Sequence, residues 1–170
     1  MHKPVIGITM GDPASIGPEI AIKALLDQDI HSICKPLLIG DAKVFQHIAE
    51  LLNIDVEINA VSDVAQAIFD FGKIDVFDLQ NANLDEIKFG EVSAEAGKAS
   101  FEAVKKVIDL ALDGKLDATV TGPINKKSIN EAGFHFAGHT EIYAEYTNTK
   151  KYAMLLVEEN MKVIHVSTHV

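Results

Sequence analysis

The residues best suited to chemistry lie in one stretch, 121–141, where amides, a lysine, a histidine and hydroxyls surround two glycine-bounded loops. Thr121-Gly-Pro-Ile-Asn125-Lys126 follows a short apolar run that reads as a strand, and α/β sheets collect ligands at strand C-termini. Gly122 permits close backbone approach, Pro123 stiffens the turn, and Asn125 and Lys126 have the reach to hold an oxyanion. The same residues equally suit a plain loop followed by a solvated pair, Lys126 and Lys127. Gly138-His139-Thr140-Glu141 is sharper. Gly138 frees the backbone ahead of a helix expected over Thr140–Tyr146, with Thr140 as its cap. A hydroxyl and an imidazole would then stand together at the positive end of a helix, an arrangement suited to an anionic substrate. The alternative is an ordinary cap beside an exposed histidine. His135 reads as a loop residue.

Two further histidines, His165 and His169, are four apart, the spacing of ligands on one helical face. Val163, Ile164, Val166, Thr168 and Val170 argue instead for a strand. On a strand the two Cα atoms would lie ~13 Å apart, too far to share one metal with ligand bonds of ~2.0–2.1 Å. At most one is a ligand, and His169, nearer the strand's C-terminal end, is the better candidate. His165 fits a supporting or core position. His2, His31 and His47 show no constellation and read as surface residues.

These groups need a scaffold, and apolar runs separated by capped helical segments supply one. Val5–Met10 is a β-branched run closed by Gly11, Asp12 and Pro13. Pro18 suits a first helical turn, with Ile20, Ala21, Ala24 and Leu25 as an apolar face. The Gly11–Gly17 loop could present N–H groups to an anion or be a tight strand-to-helix turn; its glycine spacing matches neither the dinucleotide fingerprint nor the P-loop. Asp12 and Glu19 disfavour phosphate at that loop. Pro36–Gly40 reads as a buried strand, and Asp41 as cap of a helix carrying Val44, Ile48, Leu51 and Leu52. Residues 54–61 alternate as a half-exposed strand, and Ile74–Leu79 is another. Ser93 caps the longest helix, with Ala96, Phe101, Val104, Ile108 and Ala111 toward the core and Gly114 at its end. Residues 152–157 and 162–168 bracket a turn as a hairpin. The class is α/β, with a mixed sheet expected because antiparallel pairing should enter near the C-terminus.

Composition sets the outer limits. At 170 residues, 48% apolar and 24% charged, the chain can bury a real core and is not globally disordered. A formal charge of −10 argues against nucleic acid or an anionic membrane as main partner. Cys34 is the single cysteine, which forbids an internal disulfide and fits a small buried side chain in a reducing compartment. No window approaches the ~20 apolar residues of a membrane helix, and no signal peptide is visible. A cytoplasmic location is the expectation.

Taken together, Ile8-Thr-Met-Gly-Asp-Pro-Ala-Ser-Ile-Gly-Pro-Glu19, Thr121-Gly-Pro-Ile-Asn-Lys126, Gly138-His-Thr-Glu141 and Thr168-His169 resemble the 4-hydroxythreonine-4-phosphate dehydrogenase family, in order and spacing, across essentially the whole chain. Ser15 stands where that family usually has glycine. The resemblance implies a three-layer αβα fold like that of isocitrate and isopropylmalate dehydrogenases. It also implies NAD and a divalent metal (Zn, Mg, Co or Mn) as cofactors, a small phosphorylated substrate, and a homodimer with a shared active site. Substrate contacts would fall on His139 and Thr140 and a metal bond on His169, with Asn125 and Lys126 shaping the same pocket. The metal would polarise the alcohol oxygen and stabilise the enolate left when a β-keto acid loses CO2. The run Val163–His169 is closer to the branch acting on 4-phospho-D-threonate and 4-phospho-D-erythronate than to the vitamin B6 branch. Family members are about twice this length, so residues 1–170 correspond to an N-terminal half, inactive by itself, with further metal, substrate and NAD contacts beyond Val170. A non-catalytic phosphometabolite-binding domain is the rival reading, and a metal-dependent hydrolase a weaker one.

Overall fold

The computed structural model describes residues 3–165. Its elements run β1 (Val5–Thr9), α1 (Gly17–Leu25), α2 (Gln28–Ile33), β2 (Lys35–Gly40), α3 (Ala42–Leu51), β3 (Glu57–Val61), β4 (Lys73–Asp78), α4 (Ala94–Leu112), β5 (Ala118–Val120), α5 (Lys126–Glu131), α6 (His139–Tyr146), β6 (Leu155–Glu158) and β7 (Met161–Ile164). Helix starts follow from side chains that accept otherwise orphaned N–H groups. Asp27 takes Asp29 N–H, Asp41 takes Lys43 N–H, and Ser93 takes Ala96 N–H. Pro18 occupies the first turn of α1, where its missing N–H costs nothing.

Five strands pair in the order β3-β4-β2-β1-β5, and every pairing among them is parallel. The antiparallel pairing expected near the C-terminus is β6 with β7, which among the described residues forms a separate two-stranded sheet. His165 lies just past β7, its N–H bonded to Met154 O at 3.2 Å. Residues 166–170, including His169, lie outside the described residues.

Alternation along β2 builds both core layers. Leu38 points to a core with Ile22, Leu25, Val44, Phe45, Ile74 and Val76, under α1 and α3. Leu37 and Ile39 point to the opposite core with Phe101, Val104, Val107, Ile108, Ile129 and Ile142, under α4, α5 and α6. A central parallel strand covered on both faces is what makes its run apolar without interruption. The result is helix, sheet, helix, the three-layer arrangement anticipated above.

The topology also marks one crevice. From β1 the chain steps to β2 on one side, and later crosses by α4 to β5 on the other side of β1. Connections therefore leave the C-terminal ends of β1 and β5 in opposite directions, the place where open α/β sheets bind ligands.

Candidate active site

The loops that follow β1 and β5 are joined across that crevice. Gly122 N–H is shared between Thr9 Oγ1 at 3.0 Å and Thr9 O at 3.2 Å, and Asp12 N–H donates to Pro123 O at 2.8 Å. The approach is close enough to require glycine: a Cβ on Gly11 would stand 2.5 Å from Pro123 O, and one on Gly122 would stand 2.6 Å from Thr9 O. Gly11 also has φ +73°, in the left-handed region. The Gly11–Gly17 loop is thus consumed by packing against Gly122 and Pro123.

Asp12 is buried at 2% exposure. Its Oδ1 accepts Ala14 N–H at 2.8 Å, which shapes the loop. Burial pushes its carboxyl above the usual value; the Ala14 N–H and the nearby Ser128 hydroxyl pull part of that shift back. Ser128 Oγ is itself buried and lacks a hydrogen bond of full geometry, so we read it as a polar neighbour of Asp12 rather than a strong partner. The acid read from sequence as loop charge is in fact internal.

Asn125 caps α5, its side-chain oxygen accepting Lys127 N–H at 3.0 Å and Ser128 N–H at 3.2 Å. That capping role was not seen in the sequence, where an amide after a strand equally suits an anion. Lys126 opens α5 and is exposed. Among the described residues Lys127 pairs with Glu131 at 3.9 Å, whereas Lys126 joins no ion pair. Its Cε lies 3.8 Å from where a Gly138 Cβ would stand, and Glu141 Oε2 lies 3.5 Å from the same point. Lys126, Gly138 and Glu141 therefore share one edge of the site.

Helix α6 begins one residue earlier than expected. Gly138 is the cap, without any side-chain bond, so Thr140 sits within the first turn and does not cap it. Gly138 has φ 174°, an extended backbone open to any residue. His139 is the pivotal side chain. Burial holds its ring below the ordinary histidine value, and a Gly122 backbone bond acts the other way, favouring the protonated ring. Only the Gly122 carbonyl can do that, because protonation is favoured by an acceptor. Among the described residues Nε2 of His139 is buried and lacks a partner.

The structure thus brings His139, Thr140, Asn125 and Lys126 to one end of the sheet, with Thr9, Asp12 and Gly122 beneath them. Gly122 allows the close backbone approach read from the sequence, whereas the role of Thr9 and the burial of Asp12 escaped that reading because they depend on segments more than 100 residues apart. Their traces were the glycines after each strand. Among the described residues no three His, Cys, Asp or Glu side chains gather as a metal shell. His135 lies in a loop, as read from sequence, and is exposed, whereas His31, read as a surface residue, is buried at 8% exposure, its ring edge-on to Phe71 at 5.5 Å.

Known proteins share this fold. The family model described as "Pyridoxal phosphate biosynthetic protein PdxA" matches residues 32–170. A Clostridium botulinum protein provisionally named D-threonate 4-phosphate dehydrogenase is 42% identical over 169 residues, 99% of this chain and 51% of its own. The crystal structure of a 4-hydroxythreonine-4-phosphate dehydrogenase from Burkholderia phymatum superposes with a TM-score of 0.93 at 38% identity, covering 100% of this chain and 51% of that one. The corresponding Klebsiella pneumoniae enzyme gives 0.91 at 36% identity, covering 99% and 51%. The chain thus spans about half the length of the relatives it matches. With family match, sequence identity and superposition in agreement, the chain belongs to the PdxA family, a family of dehydrogenases acting on a CH–OH group.

Proposed function

We propose that the full-length protein oxidises the secondary alcohol of a phosphorylated hydroxy acid, such as 4-phosphohydroxy-L-threonine or 4-phospho-D-threonate/erythronate. Hydride passes to NAD, a divalent metal assists, and the β-keto acid loses CO2. Residues 1–170 form its N-terminal half, His169 contributes one metal bond, and the enzyme works in the cytoplasm as a homodimer with a shared site. The observation that carries the substrate side is the buried, unpartnered Nε2 of His139 at the start of α6. A neutral imidazole there forms a hydrogen bond with a substrate hydroxyl. The first-turn N–H groups of α6 and the Thr140 hydroxyl favour an anionic end of the same molecule. Lys126, with its exposed amine beside Gly138, supplies positive charge at the rim, while Asn125 keeps α5 in place beneath it. The described residues by themselves do not amount to a metal shell.

The test is NADH formation by the full-length protein from each candidate substrate, with and without a chelator. Turnover that stops with chelator supports the reading. A chelator-insensitive rate removes the metal from it, and binding of phospho-threonate without NADH formation favours the non-catalytic alternative.

A further inference from the structure

We propose that Tyr143 and Thr119 are positioning residues whose hydrogen bond fixes α6 against β5; the consequence for substrate rests on the function proposed above. The Tyr143 hydroxyl donates to Thr119 Oγ1 at 2.8 Å. That bond ties together the two walls of the crevice. One wall is α6, which carries His139 and Thr140 in its first turn. The other is β5, which runs directly into the loop 121–125 and so into the Asn125 cap of α5.

The first turn of α6 needs such a tie. Its cap, Gly138, offers no side-chain bond, and Ile142 N–H reaches Gly138 O at a long 3.3 Å. By contrast, α3, α4 and α5 start on Asp41, Ser93 and Asn125, each accepting a backbone N–H. Packing holds the far end of α6, where Tyr146 lies edge-on to Phe101 at 5.9 Å and Lys105 stands 5.3 Å over its ring. Packing of this kind is non-directional and does not by itself fix the rotation of a helix; a hydrogen bond to a strand does. Residues four apart stand one above the other on a helix face, so the Tyr143 bond is made one turn after His139. Thr119 is a firm anchor for it. It is the middle residue of β5, in register with Gly7 of β1, and its neighbours Ala118 and Val120 register with Ile6 and Ile8. Phenylalanine would fill the Tyr143 volume and valine that of Thr119, so the two hydroxyls are what packing does not require.

The experiment uses the full-length protein with Tyr143→Phe, Thr119→Val, the double variant, and Thr119→Ser, which keeps a hydroxyl. Amide hydrogen exchange is read without substrate. Tyr143→Phe and Thr119→Val are each expected to speed exchange at 142–146 by roughly 5–10-fold, the worth of one hydrogen bond, and to leave 104–108 of α4 unchanged. Thr119→Ser is expected to match wild type. In steady-state kinetics each of the two is expected to raise KM ~10-fold with kcat changed less, since small misplacements of positioning groups are costly. Thr119→Ser should keep the wild-type KM, and the double variant should be no worse than either single one, because both lose the same bond. Tyr143→Phe set against Thr119→Ser carries both readings if Thr119→Val does not fold. A folded Tyr143→Phe protein with wild-type exchange at 142–146 overturns the proposal. So does faster exchange with an unchanged KM, since the bond would then serve stability alone. Absence of turnover by wild type on every candidate substrate would sink the proposed function instead, and the exchange measurement would then decide the tie between α6 and β5 by itself.

Discussion

His139 and Asp12 show how burial can act in opposite directions on two neighbouring titratable groups. Desolvation disfavours the charged form of each, so the histidine value falls and the aspartate value rises. For His139 the unfolded chain takes up its proton first as pH drops. Native stability is therefore lost from about pH 6.5 downward, through the lowered native value, and levels off below it. His139→Gln removes this contribution. Urea unfolding of the variant between pH 7.5 and 5 is expected to show a shallower loss of stability than wild type, and equal slopes would contradict the burial of this ring. For Asp12 the native state keeps its proton longer than the unfolded chain does, so ionisation above the ordinary value of 3.8 costs stability. Asp12→Asn retains an acceptor for Ala14 N–H without the charge and is expected to match or exceed wild type at pH 7. Asp12→Ala strands that buried N–H and is expected to lose about 1–3 kcal/mol. Chemical denaturation of the pair checks both signs.

Among the elements, the contact between α4 and α5 sets where Asn125 and Lys126 stand. Gly97 of α4 is buried against the α5 backbone, and a Cβ there would overlap Ser128 O at 2.0 Å. Gly97→Ala must push α5 away; overpacking of this kind typically costs about 1–3 kcal/mol. We expect a lowered Tm together with weakened substrate binding, while Gly114→Ala, in open space at φ +70°, strains only its own backbone and leaves binding unchanged. A stable Gly97→Ala protein with unaltered KM would refute the dependence of the site on this contact. The two helices differ in how far the sequence revealed them. Ser93, the apolar spacing of Phe101, Val104 and Ile108, and Gly114 made α4 legible from end to end, because cap, periodicity and stop are all local signals. α5 has six residues, too few for a period to emerge, and its cap Asn125 is a residue type that serves ligands as readily as helices. The strands of the central sheet were legible from their apolar runs. The bond from Gly122 N–H to Thr9 Oγ1, the burial of Asp12 and the burial of His31 against Phe71 were not, since each is made by segments distant in sequence.

At the scale of the whole molecule the two faces of the sheet are unequally covered near β5. Both elements that follow β5, α5 and α6, pack on the α4 side, where Ile129 and Ile142 join the core. On the other side Ile6 and Ile8 of β1 register with Ala118 and Val120 of β5. With Ile20, Ala24 and Leu25 of α1, Ile30, and Cys34, the residues Ile6, Ile8 and Val120 line an apolar groove of about 440 Å³. Val120 is 52% exposed at the open edge of the sheet. The β6–β7 hairpin adds Leu155, Leu156, Val157, Met161, Val163 and Ile164, all exposed, although a lone two-stranded hairpin is marginal in water. Apolar surface on this scale attracts apolar ligands. The 170-residue chain by itself is therefore expected to bind an apolar fluorescent dye while remaining folded. Val120→Lys should reduce the groove's share of the signal without lowering Tm, because an exposed edge position tolerates charge. In the same sample, amide exchange should be fast at 155–164 and slow at 37–39 and 104–108, separating the marginal hairpin from the doubly covered sheet and α4. A folded chain that neither binds dye nor shows this contrast would mean that the groove and hairpin are closed in solution, and the uneven coverage of the sheet would then have to be compensated by contacts within the chain itself.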